Sequence, residues 1–468
     1  MEGLRGKVLR GGKVLVLRQG LGILFGLLGT ALLLRVLGPK EYGLYAASLG
    51  LYTYLLGLGQ WGIGAYLVRR EGEEGVRPFQ QGLSLMLLLG TATALFGILL
   101  LPLLGRWVGL EGFMPVALAL FLGLPFSLLS LPFTAYLERS LEYAGLARVE
   151  LLGQVLYYLL ALPLALGGLG VWAPVLGFWG QTIFTFLGLW WLSRIPFRWR
   201  WDLKEVQSML RYGLGFSSSL WVWQLRSLVN PLIVGRYLGA EAVGQVQLSI
   251  RLVETLAFIK GVSWRLSMPA FARLQGDRRR LAQAIAEAAE VQVLLVGLPL
   301  LAFSFLGPWV IPVLFGPAWM PVVTLFPFVA LGYLLNSIFN MHSSALYVLR
   351  RNFEVTVFHV VHVFLFAGTA WLLVGSSLGP LGYGWAEVVA LGSYFVIYRE
   401  TVKAVGPLDH SVALTWSFAL GLALFWPFMA PLALLPFLAL ALSRSRKRLW
   451  EVSASLWSGL RGGRILGG

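Results

Sequence analysis

Apolar runs of about 20 residues follow one another from near residue 13 to near residue 442, with short polar loops between them. A helix of that length crosses the roughly 30 Å hydrocarbon core of a bilayer. A membrane β-barrel would instead alternate apolar and polar residues in segments of about ten, a pattern that this sequence lacks. The charged fraction of 12% also excludes a soluble globule, in which about 25% is typical. The sequence therefore predicts an all-α polytopic membrane protein.

We expect about fourteen membrane helices. They lie near 14–37, 44–68, 79–104, 114–137, 148–168, 171–193, 213–238, 242–271, 284–306, 319–349, 353–374 and 381–399, followed by a short pair near 411–425 and 430–442. The first run is too long for a cleavable signal and lacks a small-residue cleavage site, so we expect it to remain as the first helix. The sequence contains no cysteine, which excludes disulfides and thiolate chemistry.

Basic residues are concentrated in the loops on one side of the predicted bundle. With the N-terminus taken as cytoplasmic, the loops on its side carry 28 of the 37 lysines and arginines, whereas the opposite loops carry four. Because short cytoplasmic loops are enriched in lysine and arginine, we expect both termini inside a bacterial or archaeal cytoplasmic membrane. The net charge of +16 therefore indicates topology, and we assign no nucleic-acid partner.

A short pattern, R-x-L-G-x-x-x-x-G, occurs twice, as RVLGPKEYG over 35–43 and as RYLGAEAVG over 236–244. The copies are 201 positions apart, and Trp107 recurs as Trp309 at nearly the same offset. Six predicted crossings separate equivalent points, so the two halves share one orientation and a pseudo-two-fold axis along the membrane normal. We predict an N-lobe over 1–193, a six-helix C-lobe over 213–402, a helix hairpin over 403–442 and a basic cytoplasmic tail over 443–468.

The segment between the lobes, 194–212, differs from the membrane runs. It begins RIPFRWRWD, alternating arginine with apolar and aromatic residues, and Asp202 and Glu205 have the spacing of a capping box. We predict a cytoplasmic interfacial amphipathic helix here, and the tail RSRKRLWEVSASLWSGLRGG has the same character. Both are expected to bind anionic lipid, with recognition of another protein as the alternative.

Charged residues inside the predicted helices are the candidates for function, because a charge at the bilayer centre costs about 2.5–3.5 kcal/mol on insertion scales. Arg226 and Asn230 are four residues apart and share a face of the seventh helix, while Arg251 and Lys260 lie on the eighth. We expect Arg226 and Arg251 to face a water-filled cavity. Arg18, on the first helix, either faces Arg226 across that cavity or extends to the interface.

Two glutamates are candidates for coupling. Glu254 either forms a static ion pair with Arg251 or titrates during the working cycle. Glu387, in the twelfth helix, has no evident partner nearby in sequence and is the better proton site. The histidines offer no third ligand of the needed kind, so we assign no metal and no cofactor. Several deep cations with few acids predict an anionic ligand, such as phosphate or diphosphate.

With these residues in view, the chain resembles the polysaccharide-transporter family of flippases, the Wzx type of the multidrug/oligosaccharidyl-lipid/polysaccharide (MOP) exporter superfamily. The similarity extends over nearly the whole chain. It is carried by RVLGPKEYGLYAASLGLYTYLLGLGQWGIGAYLVRR, RWDLKEVQSMLRYGLGFSSSLWVWQLRSLVNPLIVGRYLGAEAVG, PAFARLQGDRRRL and LFGPAWMPVV.

The resemblance implies two six-helix lobes in the MOP exporter fold and an undecaprenyl-diphosphate-linked oligosaccharide as cargo. It also implies that arginines on helices one, seven and eight contact the diphosphate, a pattern matched here by Arg18, Arg226 and Arg251. Partners would be membrane lipids and other polysaccharide assembly proteins. The additional thirteenth and fourteenth helices depart from the simplest twelve-helix pattern.

Two classes of alternative remain. A related transporter that carries lipid II, another lipid-linked precursor or a drug would share the fold. A polyprenyl-linked glycosyltransferase or polymerase would need acidic catalytic residues and usually a sizeable outer loop. All three aspartates lie on the predicted cytoplasmic side, and the outer loops are short, so the sequence favours a transporter over an enzyme. The three are Asp202, Asp277 and Asp409.

Overall fold

The computed structural model describes residues 4–70 and 75–461, with the side chains at 4–21, 23, 24, 215, 216, 452 and 455–461 left out. All regular structure in these residues is helical. The helices are α1 (Leu4–Gln60), α2 (Ile63–Arg69), α3 (Arg77–Val108), α4 (Phe113–Phe121), α5 (Leu124–Arg139), α6 (Tyr143–Leu166), α7 (Trp172–Ser193), α8 (Leu203–Gln224), α9 (Gly235–Leu256), α10 (Ile259–Leu274), α11 (Arg278–Leu314), α12 (Pro321–Val348), α13 (Asn352–Val374), α14 (Pro380–Ala390), α15 (Tyr394–Val405), α16 (Ser411–Ala423), α17 (Leu435–Ala441) and α18 (Ser443–Arg461).

Seven helical spans in the described residues are long and apolar enough to cross a membrane. They are Arg77–Val108, Phe113–Arg139, Tyr143–Leu166, Trp172–Ser193, Arg278–Leu314, Pro317–Val348 and Asn352–Val374. A bent pair, Ser217–Leu256 with Ile259–Leu274, passes the same test as one broken span. The predicted all-α polytopic membrane fold is confirmed, while the number fourteen stays a prediction. In the C-terminal hairpin α16 is 13 residues long and α17 is 7, both shorter than a full crossing.

The two copies of the repeated motif have the same backbone conformation. Gly38 has φ 72° and ψ 172°, and Gly239, which is 201 positions later, has φ 80° and ψ −178°. Only glycine adopts this region readily, because a Cβ would clash with the backbone. Each glycine therefore breaks its helix sharply, and the next residue, Pro39 or Ala240, starts a new helical segment. The repeat predicted from sequence is confirmed at this position by geometry.

The second glycines of the two motifs pack against each other. A Cβ added to Gly43 would overlap the carbonyl oxygen of Ala240 and lie 2.8 Å from the amide nitrogen of Gly244. Conversely, a Cβ added to Gly244 would overlap the carbonyl oxygen of Pro39 and lie 3.1 Å from the amide nitrogen of Gly43. The contact is reciprocal, as a pseudo-two-fold axis through it requires. We call these residues the glycine contact.

Glycines continue to mediate the packing of α1 on the seventh predicted crossing. Gly50 and Gly57 follow Gly43 at seven-residue intervals, so all three share one helix face. A Cβ on Gly50 would lie 3.3 Å from Pro231, and one on Gly57 would overlap the side chain of Gln224. This small-residue face lets the two backbones approach closely, as is common between membrane helices.

By internal contacts the chain divides into two compact units. The first comprises Met1–Gln247 with Leu314–Trp319, and the second comprises Leu248–Val313 with Met320–Gly468. Among the fully buried side chains of the first unit are Phe79, Phe133, Ile63 and Leu67, which belong to one apolar cluster. In the second unit Phe326, Phe358, Phe366 and Trp416 are fully buried. The lobe boundaries predicted from sequence differ from these units and stay a prediction.

The linker begins as an extended strap and only then becomes helical. Residues 195–202 belong to no helix, and α8 begins at Leu203 and continues to Gln224. The predicted N-cap is confirmed, because the Asp202 carboxylate accepts from the amides of Lys204 and Glu205. The predicted interfacial helix over 194–212 is therefore wrong for its first nine residues. Side chains of α3 bind the strap backbone and hold it extended, as described below.

The predicted eighth helix, 242–271, is two helices. α9 ends at Leu256, α10 begins at Ile259, and the pair is bent by 52°. At the break the Lys260 amide donates to the Ala257 carbonyl, which is a tighter turn than the α-helix makes. The apolar pattern runs through the bend without a proline, so the sequence gives no local signal for it.

Candidate functional site

Arg226 lies where the seventh predicted crossing is not α-helical. α8 ends at Gln224, a 3₁₀ turn covers Leu225–Leu228, and a π-helical turn covers Asn230–Val234. Pro231 lacks an amide hydrogen and cannot continue the regular α-helical hydrogen-bond ladder. Wide π turns in helices frequently coincide with functional sites. The sequence alone identifies Arg226 as unusual but gives no indication of this distortion.

The guanidinium of Arg226 lies over the ring of Trp223, 5.1 Å from the ring centroid. The side chain is partly buried. A cation over an indole ring gains about 0.5–2 kcal/mol, and more as water is removed. Trp223 therefore compensates part of the penalty for placing an arginine within an apolar segment. Trp223 was not among the predicted site residues, although its spacing of three residues from Arg226 places it on the same helix face.

Asn230 is buried, with 2% of its surface exposed. Its Nδ2 donates to the Val243 carbonyl at 3.2 Å and approaches Gln247 Oε1 at 3.4 Å. These bonds join the π-helical turn to α9. The amide thus contributes to helix packing, and a role of Asn230 in a cavity beside Arg226 stays a prediction.

A second group of polar side chains lies in the second unit, around Tyr333 of α12. The Tyr333 hydroxyl donates to Glu254 Oε1 at 2.8 Å, and Lys260 Nζ lies 4.6 Å from the centre of the Tyr333 ring. Arg251 is exposed and lies one helical turn before Glu254 on α9. One tyrosine thus contacts both a carboxylate and an ammonium. We call these four residues the Tyr333 cluster.

Tyr333, like Trp223, was not predicted from the sequence. Its only signal is a hydroxyl-bearing ring within the apolar first half of α12, which is common in membrane proteins. Lys260 and Glu254 were both predicted as site residues, but nothing in the sequence indicates that the distant Tyr333 joins them. Glu254 and Lys260 lie on either side of the bend between α9 and α10, and Tyr333 contacts the first through its hydroxyl and the second through its ring.

Glu387 is buried within the second unit, with 2% of its surface exposed. The Tyr383 hydroxyl, one turn earlier on α14, lies 3.4 Å from Glu387 Oε1. A Cβ on Gly332 of α12 would lie 3.2 Å from Glu387 Oε2, so the carboxyl is held between α12 and α14. Glu387 therefore has a local partner, contrary to the sequence expectation.

The histidines of the second unit make hydrogen bonds within the protein. His342 Nε2 lies 3.0 Å from His410 Nε2, which joins α12 to the start of α16. His362 Nδ1 lies 2.9 Å from Ser393 Oγ. Across residues 4–70 and 75–461, no group of three or more histidine or acidic side chains is arranged to hold a metal ion.

The remaining predicted site residue is Arg18. Its backbone belongs to α1, but its side chain lies outside the described residues, and its role stays a prediction. Arg226 belongs to the first unit, whereas Arg251, Glu254, Lys260 and Glu387 belong to the second. Within residues 224–260 the helices carry more cationic than acidic groups near these positions, a balance that attracts an anion.

A family model described as polysaccharide biosynthesis protein matches residues 32–324. The amylovoran biosynthesis protein AmsL of Erwinia amylovora is 30% identical over 203 residues, 42% of this chain and 52% of that protein. The succinoglycan biosynthesis transport protein ExoT of Rhizobium meliloti is 26% identical over 301 residues, 62% of this chain and 58% of that protein. The chain thus spans little more than half the length of these two relatives. The lipopolysaccharide biosynthesis protein WzxC of Escherichia coli is 23% identical over 450 residues, 90% and 89% of the two chains.

Solved structures show the same fold. The lipid II flippase MurJ in an inward closed conformation superposes with a TM-score of 0.69 at 13% identity, covering 95% of this chain and 99% of that one. An inward-facing multidrug resistance MATE family transporter of the MOP superfamily gives a TM-score of 0.63 at 17% identity, covering 84% and 96%. At these identities the likeness concerns the fold, and the predicted MOP exporter architecture is confirmed.

Proposed function

Because this chain belongs to the polysaccharide biosynthesis protein family, we propose that it is a flippase for a lipid-linked oligosaccharide. Its cargo would be an undecaprenyl-diphosphate-linked repeat unit of a surface polysaccharide, moved from the inner to the outer leaflet of the cytoplasmic membrane. The polyprenyl tail stays in the bilayer while the head group crosses through the protein. Relatives named as transport and lipopolysaccharide biosynthesis proteins support this cargo class.

The observation that carries the proposal is Arg226 in the distorted segment between α8 and α9. An arginine stacked on Trp223 is partly desolvated, so it binds a phosphate oxygen more strongly than a fully hydrated arginine does. The 3₁₀ and π turns around it leave backbone groups without regular helical partners, which membrane proteins tolerate where protein or water replaces lipid. A diphosphate is the anion that the cargo class supplies.

Arg251, Lys260 and Arg18 are further predicted contacts of the diphosphate. Arg251 and Lys260 contribute further positive charge, and Tyr333 positions Lys260 through its ring and Glu254 through its hydroxyl. Arg18 is a third arginine contact, assigned by the family resemblance. Each cation binds the diphosphate as a charge-assisted contact, worth about 1.5–3 kcal/mol where it is partly buried.

Translocation follows alternating access between the predicted lobes. In one state the head group binds the cations from the cytoplasmic side, and in the other it leaves toward the outer leaflet. Glu254 and Glu387 are the candidates for coupling to protons. Each of these carboxylates accepts a hydrogen bond from a tyrosine hydroxyl, Glu254 from Tyr333 and Glu387 from Tyr383.

We place both termini on the cytoplasmic side, following the distribution of basic loops. Membrane lipids and other proteins of polysaccharide assembly are the partners in this proposal. The chain has no cysteine, so a single cysteine placed near either end reports its side through a membrane-impermeant maleimide. Labelling from outside intact cells would contradict the orientation.

The test uses proteoliposomes with a fluorescent polyprenyl-diphosphate oligosaccharide and measures how fast its head group becomes accessible on the far leaflet. We expect wild type to accelerate crossing and Arg226→Gln to reduce the rate by roughly 10- to 100-fold, the equivalent of one charge-assisted bond. Arg265→Gln is the matched control, since Arg265 is an exposed arginine on α10 outside the proposed contacts. It should flip at the wild-type rate.

Three results would overturn the proposal in different ways. Equal losses in Arg226→Gln and Arg265→Gln would mean that only general charge matters. Acceleration of lipid II with no effect on other lipid-linked oligosaccharides would keep the flippase mechanism and change the cargo. Movement of a soluble cationic drug with no effect on any lipid-linked sugar would place the chain with drug exporters, and Arg226 would then be structural.

A further inference from the structure

The strap, residues 195–202, is held in one conformation by α3. Gln80 Nε2 donates to the Pro196 carbonyl at 3.1 Å, the Arg200 amide donates to Ser84 Oγ at 3.0 Å, and the Asp202 amide donates to Gln81 Oε1 at 2.9 Å. The three α3 side chains are buried, with at most 3% of their surface exposed. The strap backbone is therefore fixed along the end of α3, at the predicted cytoplasmic side.

An extended backbone points successive side chains in opposite directions. Phe197, Trp199 and Trp201 consequently share one side of the strap, and the two indole rings stack at 6.1 Å with an interplanar angle of 11°. Arg198 and Arg200 share the other side. The three aromatic side chains are exposed by 49%, 56% and 45%, although aromatic rings of this size normally bury most of their surface.

The two strap arginines are exposed, and among residues 4–70 and 75–461 neither forms an ion pair. Exposed tryptophan beside arginine is the composition of the membrane interface, where indole rings lie at head-group depth and guanidinium groups bind phosphate. Because the strap backbone is already fixed by its hydrogen bonds to α3, little backbone conformational entropy remains to be lost when the five exposed side chains bind a lipid.

An apolar groove lies between α6 and α7, and its last lining residue, Leu192, precedes the strap by three positions in the chain. It has a volume of about 470 Å³, within the range of about 300–1,000 Å³ typical of ligand pockets. Phe184, Leu187 and Trp191 line it, with Arg148 as its one charged residue. Trp191 is 78% exposed and Leu187 47% exposed, so the groove opens sideways. The strap begins only four residues after Trp191.

We propose that this groove and strap together bind an anionic phospholipid of the inner leaflet. An acyl chain occupies the apolar groove, and the phosphate is bound by Arg148 at the groove and by the strap arginines. The aromatic row lies at head-group depth. The charge complementarity selects an anionic over a zwitterionic lipid, because none of the three guanidinium groups forms an ion pair within the described residues. The inference concerns a bulk lipid and is independent of the proposed cargo.

The test measures which lipids the purified full-length protein retains. The protein is reconstituted in phosphatidylcholine nanodiscs that contain a minor fraction of phosphatidylglycerol, and bound lipids are counted by native mass spectrometry. We expect wild type to be enriched in phosphatidylglycerol. Arg198→Gln with Arg200→Gln should reduce that enrichment at least fivefold, since each basic side chain near an anionic surface contributes about that factor. Arg148→Gln should reduce it further.

The matched control is Arg278→Gln with Arg279→Gln. These two arginines are also exposed, lie on the predicted cytoplasmic side and form no ion pair in the described part of the chain, so the net charge change is identical. Retention equal to wild type in this control supports a localised site. Equal loss in both double variants would overturn it, because the effect would then follow net charge alone.

The cargo and the bulk lipid are separated by a second measurement on the same variants. We expect the strap variants to flip the lipid-linked oligosaccharide at the wild-type rate once reconstituted. Loss of flipping with unchanged phosphatidylglycerol enrichment would overturn the inference, since the strap would then bind cargo. Release of the bound lipid by millimolar inorganic phosphate alone would also contradict it, because the groove would then contribute no affinity.

Discussion

Replacing Gly43 by alanine should separate the two copies of the repeated motif. The added methyl would overlap the Ala240 carbonyl oxygen and lie 2.8 Å from the Gly244 amide nitrogen, whereas ordinary contacts begin at 3.4 Å. Both obstacles are backbone atoms, which cannot rotate away as a side chain does. The two helical segments must therefore move apart, and the packing around the glycine contact is lost.

Overpacking of this kind costs about 1–3 kcal/mol, and backbone obstacles place Gly43→Ala toward the upper end. For a compact unit of this size, roughly 2–3 kcal/mol lowers the melting temperature by roughly 4–10 °C. Gly244→Ala should have a similar effect, because its methyl would overlap the Pro39 carbonyl oxygen. The double variant should lose less than the sum of the two, since one substitution already opens the contact for the other.

The assay is thermal unfolding in detergent, followed by the intrinsic fluorescence of the 19 tryptophans. Gly368→Ala is the control: Gly368 lies within α13, and no atom lies within 4 Å of the added Cβ. In that open position alanine should leave the melting temperature unchanged or raise it slightly. If Gly43→Ala melts together with Gly368→Ala, or if the double variant is fully additive, the reasoning from reciprocal packing is refuted.

Two further predictions concern the second unit. Tyr333→Phe removes the hydrogen bond to Glu254 but keeps the ring beneath Lys260, whereas Tyr333→Leu removes both. The flipping rate should be lower in Tyr333→Leu, by roughly 2- to 10-fold relative to Tyr333→Phe. Equal rates in the two variants would exclude a role for the ring. Burial lowers the pKa of His410 below its usual 6.5, so the folded chain favours the neutral ring and the unfolded chain protonates first as the pH falls. Stability is therefore present above pH 6.5 and lost on acidification. The fall in melting temperature between about pH 7.5 and about pH 5.5 should be smaller in His410→Asn, and an unchanged fall would refute the assignment.

Hydrophobic runs and the motif R-x-L-G-x-x-x-x-G were enough to predict the all-helical membrane fold and an internal repeat. Hydropathy is a local property that reports which segments leave water, so it locates the helices well. The repeat was visible because Gly38 and Gly239 each occupy a conformation that other residues avoid. Features that depend on the local sequence can therefore be predicted from a single sequence.

The missed features depend on contacts between distant residues. The strap is extended because Gln80, Gln81 and Ser84, more than a hundred positions earlier, bind its backbone. Periodicity within 194–212 indicates a helix and carries no information about those partners. The predicted capping box is confirmed only in its first half, since Asp202 caps α8. The Glu205 carboxylate pairs with the distant Arg70, and the Asp202 amide donates to Gln81.

The candidate site likewise contains residues that local sequence predicts and residues that only contacts between distant segments reveal. Arg226, Arg251 and Lys260 stand out in the sequence because charges are rare within apolar helices. The bond from Asn230 to α9 was not predicted, because a shared helix face does not reveal whether that face meets water or another helix. Tyr333 was overlooked because its importance comes entirely from two groups on other helices, α9 and α10.

The glycine contact also restricts which residues the two copies of the repeated motif can carry. In an ordinary interface, a larger residue on one side is accommodated by a smaller one opposite. Here Gly43 and Gly244 are already the smallest residues on both sides, and each meets main-chain atoms of the other copy. No compensating substitution is available to either. A library that randomises both positions together should therefore recover glycine at each of them.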